Sequence, residues 1–450
     1  MSISYLIIIV AAGVALLLFL ILKLKLNAFI ALLMTSIFVG LLAGMPLSEI
    51  TTSIQNGMGN TLGFVAVVVG LGAIFGQMLE SSGGAHALAN HLLSWFGPKK
   101  ASWAMVITGF LVAIPVFFDV GLIILVPMIY ALSRDTKRSL LHYGMPLIAG
   151  LAVTHAFIPP TPGPIAVADI LGADLGWVIF FGIVLGFPSA VLAGPVFGNY
   201  IAKRINIQPP AESAEESEIK SMQDLPSFTK VALIISLPLV LILLSTLTSL
   251  LVKEEVVTAS AISDLIIFLG HPFSALIIAT LTAIAFCLKR GMTNKEIMEL
   301  STKSLGPAGI IILVTGAGGV LKQVLVDSGV GQAIADSMAQ ASLPPILLAW
   351  ILASLVRATQ GSATVAMITA AGIMAPVLPV FNLSAPEIAL VVIAISSGGT
   401  AFAHVNDSGF WLVSRYFGMN ESQTIQSWTV GSTIIGVCGL VFALVASLFV

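Results

Sequence analysis

Charge is what this chain has least of. Only 9% of its 450 residues are Asp, Glu, Lys or Arg, where a soluble domain carries about 25%. Cysteine is nearly absent: Cys287 and Cys438 both sit in apolar segments, which excludes a disulfide framework and a cysteine metal site. The net charge of −2 by itself says nothing about nucleic acid, and with no basic tail no such partner is expected. Alternating ten-residue strand patterns are missing as well, so an outer-membrane barrel is set aside. What fills the space is hydrocarbon: 58% of the residues are apolar. The chain is predicted to be an all-α polytopic membrane protein, because a lipid-embedded backbone must satisfy its own hydrogen bonds.

A crossing needs roughly 20 apolar residues. Simple candidates are 3–22, 27–44, 62–80, 176–201, 229–252, 264–288, 305–326 and 427–449. The first lacks a basic leader and a small-residue cleavage site, so it reads as a retained span. Two stretches, near 101–132 and 346–380, are too long for one crossing, and two more, near 141–170 and 386–417, are interrupted by Gly, Pro or polar residues. Basic residues orient the chain. Lys99 and Lys100 precede the first overlong stretch and Arg134, Lys137 and Arg138 follow it, which predicts a re-entrant hairpin entered from the cytoplasm. The second is flanked by Asp327, Asp336 and Glu387, with no Lys or Arg between Gln323 and Pro345, which predicts a hairpin entered from outside.

The two halves resemble each other. "GLGAIFGQMLESSGGAHALA" from Gly70 matches "GAGGVLKQVLVDSGVGQAIA" from Gly316, an offset of 316 − 70 = 246. Without a register shift, Thr154 then meets Thr400, Gly163 meets Gly409 and Gly172 meets Gly418. The expected organisation is a first repeat over 1–204, a cytoplasmic linker over 205–230 and a second repeat over 231–450. Each repeat holds about five transmembrane helices, one of them broken, plus one re-entrant hairpin. An odd number of crossings turns the second copy upside-down, and an inverted repeat with broken helices is the plan of a secondary transporter with a midplane site.

The breaks carry the polar residues. "THAFIPPTPGPIAVAD", Thr154 to Asp169, contains four prolines and His155, and is expected to interrupt its helix at Pro159, Pro160, Pro162 and Pro164. Its repeat mate "TAFAHVNDSGF", Thr400 to Phe410, contains His404, Asn406 and Asp407. The first hairpin places Asp119 at its middle in "PVFFDVG"; the second places Gln360, Gly361, Ser362 and Thr364 at its middle in "RATQGSATVA". A carboxylate at membrane depth costs about 2.5–3.5 kcal/mol on insertion scales, so it needs a partner, a proton or a function. Arg357 reads as the only basic residue deep in an apolar stretch. It either pairs structurally with Asp119 or offers a two-pronged fork to a carboxylate substrate. In the second case Asp119 or Asp407 carries a proton, and Thr154, His155, Arg357, Gly361, Ser362, Thr364, His404 and Asn406 contact the substrate. His86, His91, His142 and His271 fall at span ends and read as interfacial. No metal motif or nucleophile–base set occurs, so neither an enzyme nor a cofactor is expected; nor do the rings of charge that mark a channel.

Six stretches together resemble the gluconate permease family of bacterial carriers: "NTLGFVAVVVGLGAIFGQMLESSGGA" from Asn60, "PVFFDVGLIILVP" from Pro115, "AVTHAFIPPTPGPIAVADILGADLG" from Ala152, "KQVLVDSGV" from Lys322, "GSATVAMITAAGIMAPVLP" from Gly361 and "HVNDSGFWLV" from His404. The resemblance spans both halves. It implies import of gluconate or a related sugar acid by proton symport, in the bacterial cytoplasmic (inner) membrane, on a fold of the ion-transporter superfamily. Where the family commonly reads "FFEVG", this chain reads "FFDVG" at Asp119, an acid about one methylene shorter. The partners so implied are a small sugar-acid anion, protons and the lipid bilayer, with a homo-oligomer left open. A sodium-coupled carboxylate carrier or a D-serine-type carrier is the alternative, and an ion exchanger or channel the remoter one.

Overall fold

A computed structural model describes residues 3–97, 100–209, 225–330 and 343–450. Among the described residues the regular structure is entirely helical. Lys99, Asp336 and the middle of the expected linker, 210–224, lie outside the described residues.

The chain begins with α1 (Ile3–Leu22) and α2 (Ala28–Leu42), joined by a short turn whose Asn27 side chain accepts from the Phe29 N–H. Next comes α3 (Leu47–Ser81), which starts fifteen residues before the expected 62–80 span. Its first four turns are polar, so hydropathy alone misses them, yet they hold no glycine before Gly57 and no proline after Pro46. Then follow α4 (Gly84–Phe96), α5 (Ala101–Val112) and α6 (Phe118–Thr136). The first overlong stretch is thus a helix–turn–helix whose turn contains Pro115. The first interrupted stretch is α7 (Leu141–Phe157) and α8 (Pro162–Leu171), followed by α9 (Leu175–Val191) and α10 (Phe197–Arg204), continuous through a π-helical turn.

α11 (Phe228–Lys253) begins before the expected linker ends at Lys230, and α12 (Ala261–Gly270) and α13 (Pro272–Lys289) follow. The single span expected over 264–288 is therefore two helices. His271 separates them and caps α13, its Nδ1 accepting from the Phe273 N–H at 3.3 Å, with Pro272 at the first helical position. The long α14 (Asn294–Asp327) opens on a capping box between Thr293 and Glu296. The second overlong stretch is α15 (Pro345–Gln360) and α16 (Ala363–Met374), parted by Gly361 and Ser362. The second interrupted stretch is α17 (Ala385–Thr400) and α18 (Ser408–Phe417); α19 (Glu421–Thr424) and α20 (Val430–Ala446) follow, again joined through a π-helical turn.

Among the described residues seven helical stretches are long and apolar enough to cross a membrane: Leu47–Ser81, Leu141–Leu171, Leu175–Arg204, Phe228–Lys253, Pro272–Lys289, Asn294–Asp327 and Glu421–Ala446. Helices α7, α8 and α17 form the centre, where nearly every residue is buried. Small residues let neighbouring backbones touch, as expected where helix packing in lipid rests on close contact. A β-carbon on Gly57 of α3 would lie 2.6 Å from the Gly319 carbonyl of α14, and one on Gly319 would lie 2.7 Å from the Gly57 carbonyl. The same reciprocity joins α5 to α7 at Gly109 and Gly150.

Element boundaries recur at the 246-residue offset. α8 starts at Pro162 and ends at Leu171, and α18 at Ser408 and Phe417, which is 246 further at both ends. α3 ends at Ser81 and α14 at Asp327, again 246 apart.

Candidate substrate-binding site

Both interrupted stretches break, and side chains of each break meet a carbonyl left free at a helix end. In the first, α7 runs through Thr154 and His155 to Phe157, and the non-helical segment is only 158–161. Pro162 and Pro164 do not disrupt it. They lie in the first turn of α8, where a missing N–H is harmless and the fixed φ suits the helix. The Ile158 carbonyl accepts the Thr161 hydroxyl at 2.6 Å. The Pro160 carbonyl abuts Gly72 of α3, where a β-carbon would sit 3.2 Å from it.

The second break, 401–407, serves α15. The last carbonyls of a helix have no partner within it. Here Ala358, in the last turn of α15, receives two side chains: His404 Nε2 at 2.8 Å and the Asn406 amide, donating at 3.1 Å. Gly361, at φ +84°, then turns the chain against the carbonyl of Asn406. Ser362 caps α16, its Oγ accepting from the Val365 N–H at 3.4 Å.

Between these parts lies a cavity of about 590 Å³, within the usual range for small-molecule sites. Its apolar lining is Phe117, Phe118 and Val120 at the start of α6, Ala152 and Ala156 of α7, Pro307 and Ile311 of α14, and Trp428. Phe118 stacks on Trp428 with ring centroids 5.5 Å apart. Its polar lining from the second half includes Arg357, Gln360, Gly361, Ser362, Thr364, Thr400, Asn406 and Asp407. Asp119 and His155 are the polar lining groups from the first half.

The electrostatic centre is an ion pair. Arg357 Nη2 lies 2.9 Å from Asp407 Oδ2 and Nη1 lies 3.3 Å from Oδ1, a two-pronged contact. Nη1 also donates to the Gly361 carbonyl. The Arg357 side chain is only 4% exposed, so its charge is held by geometry rather than water. Asp119, in the first turn of α6, lines the same cavity but makes no ion pair among the described residues. The structural pairing expected for Arg357 with Asp119 is therefore made with Asp407 instead. Asp407 directly precedes α18, and its carboxylate leaves that helix uncapped to reach Arg357.

Of the residues singled out in the sequence, the cavity gathers Asp119, His155, Arg357, Gly361, Ser362, Thr364, Asn406 and Asp407. Thr154 and His404 are not on its wall. Thr154 is fully buried inside α7, and His404 is turned onto α15. The ring of His155 meets Phe117 edge-on at 5.8 Å, and its Nδ1 is buried without a hydrogen-bond partner in the protein. The aromatic wall carries no sequence signal, since Phe and Trp in apolar stretches read as lipid-facing. A second basic residue was also missed. Lys322 of α14 is half-buried and donates to the Ile170 carbonyl near the end of α8 at 2.6 Å, so Arg357 is not alone at depth.

A half-polar cavity, walled by helix breaks and two helix–turn–helix elements within a bundle of apolar helices, defines a multi-pass membrane transporter. The model of the GntP family permeases matches residues 5–449. The gluconate permease of Pseudomonas aeruginosa is 41% identical over 95% of this chain and 94% of its own length. The Gnt-II system L-idonate transporter of Escherichia coli K12 is 39% identical over 96% of this chain and 97% of its own. Among solved structures, the YdaH transporter of Alcanivorax borkumensis superposes with a TM-score of 0.65, covering 94% of this chain and 98% of that one at 14% identity, a likeness of fold. The chain belongs to the GntP permease family, and its place is the bacterial inner membrane.

Proposed function

We propose that the protein imports gluconate or a related sugar acid together with protons, by alternating access around the cavity bounded by the two breaks. The observation that carries this reading is the shape of the charge. One guanidinium and two carboxyl groups face a cavity that is also lined by hydroxyl- and amide-bearing side chains and by aromatic rings. A sugar acid has the matching parts: one carboxylate for Arg357, hydroxyls for Gln360, Ser362, Thr364 and Asn406, and C–H faces for Phe118 and Trp428. The substrates named for the two relatives support the class. Moving one anion inward against an inside-negative potential costs about 2.3 kcal/mol per 100 mV. One proton on the Asp119–Asp407 carboxyl pair cancels that cost, and a second lets the membrane potential itself drive accumulation. The recurrence of element boundaries at 246 residues supports two inverted halves, 1–204 and 231–450, joined by the 205–230 linker, rocking about this site.

The test is uptake of labelled gluconate into proteoliposomes under an imposed pH gradient, with idonate, fructuronate, glycerate and D-serine as competitors. Uptake should rise with an acidic exterior and collapse with a protonophore. Indifference to the protonophore, with dependence on Na⁺ against choline, would replace the proton by sodium.

A further inference from the structure

We infer that Asp407 is a built-in competitor for the substrate's carboxylate: the incoming anion displaces it from Arg357, and the released Asp407 takes up the proton that travels with each substrate molecule. This rests on the sugar-acid reading above and adds how anion and proton are tied together. Besides a side-on edge that includes Nε, a guanidinium presents to a carboxylate an end-on pair of terminal groups, Nη1 and Nη2. In Arg357 both are on Asp407, and Nη1 also serves the Gly361 carbonyl. Arg357 Nε is buried without a partner in the protein, and the chain around Gly361 lies close against Asn406. A substrate carboxylate that enters the end-on fork takes the position of Asp407.

Away from Arg357, the displaced carboxylate keeps only the uncapped N-terminus of α18 beside it. The titratable and charged groups around it are Arg357 on α15, now occupied, Asp119 on α6, His155 on α7 and His404 in its own segment. His404 is engaged on the Ala358 carbonyl and His155 packs on Phe117. Asp119 and the bound substrate are like charges, and three carboxylates around one guanidinium away from bulk water favour a proton on one of them. Asp407 moves from an ion pair to a neutral acid, with the proton drawn from the solution on the open side. No covalent bond to carbon changes. Release of substrate reverses the exchange, and the returning Asp407 expels both anion and proton. Neither ligand completes the cycle alone.

The experiment is calorimetric titration of the purified full-length protein with gluconate or idonate, from pH 5.5 to 8, in buffers of different ionisation enthalpy. The wild-type protein is expected to take up about one proton per anion bound, and its Kd to weaken about tenfold per pH unit where Asp407 starts ionised. D407N is expected to bind at least about tenfold more tightly at pH 8 and to lose proton uptake. Retained uptake in D407N, with loss of uptake in D119N, would overturn the assignment, as would anion binding to the wild type without uptake. Should D407N fail to fold, gluconamide provides the second arm on the wild type. This neutral analogue leaves Asp407 in place and should bind without proton uptake, and equal uptake with gluconate and gluconamide overturns the exchange. Absence of any sugar-acid binding by the wild type at pH 5.5 strikes instead at the substrate reading on which the exchange stands.

Discussion

The α-carbon of Gly361 faces the carbonyl of Asn406 so closely that a β-carbon would lie 2.1 Å from its oxygen. Gly361 also holds φ at +84°, where an L side chain costs about 1–2 kcal/mol. Gly361→Ala must therefore pay for the backbone and push the 401–407 break away. Uptake is expected to fall more than tenfold, with a clear loss of thermal stability in detergent. An alanine variant of wild-type stability and rate would show that the contact is dispensable.

Asp119 stands beside the Arg357–Asp407 pair without an ionic partner of its own among the described residues. Its contribution is negative charge at that spot, so Asp119→Glu should keep most of the pH-driven uptake. Asp119→Asn should lower the accumulation ratio at least fivefold while keeping its dependence on external pH, which follows Asp407. Matched transport assays at three external pH values decide it.

Ser362 combines two tasks, capping α16 and facing the cavity. Removal of an N-cap hydroxyl costs about 1 kcal/mol. Ser362→Ala should therefore show a modest stability loss and a several-fold rise in KM with little change in the maximal rate. Ser362→Thr, which keeps the hydroxyl, should recover stability.

The long helices α3 and α14 meet through Gly57 and Gly319, each backbone seated against the other. Gly319→Leu should separate them, at a cost of about 1–3 kcal/mol or more for overpacking. The expected readout is a lower unfolding temperature with substrate affinity unaltered in the protein that remains folded, since neither glycine lines the cavity.

Much of this arrangement was legible in the sequence because lipid punishes polarity. The second break could be found from His404, Asn406 and Asp407 standing in an apolar stretch, and the first hairpin's acid from Asp119 alone. Partnership was less legible. Nothing in the spacing tells whether Arg357 meets Asp119, 238 positions earlier, or Asp407, 50 later; the packing of the 401–407 break against α15 decides it. His404 illustrates the same limit, since its residue type suits a substrate ligand and only the orphaned Ala358 carbonyl reveals its use. The apolar wall was hidden for the opposite reason. Phe118 and Trp428 look like any lipid-facing aromatics until their rings are seen stacked beside the cavity. Lys322 escaped because its span is polar at one end, and the Ile170 carbonyl that receives it belongs to the other half of the chain.

His404 and Asn406 both grip the carbonyl of Ala358, while Gly361 rests on Asn406 itself. The tip of α15–α16 and the neck of α17–α18 are thereby riveted into one piece. In the alternating access proposed above, that joint travels as a unit, and Phe117, Phe118 and the middle of α14 are the part of the lining left to shift against it.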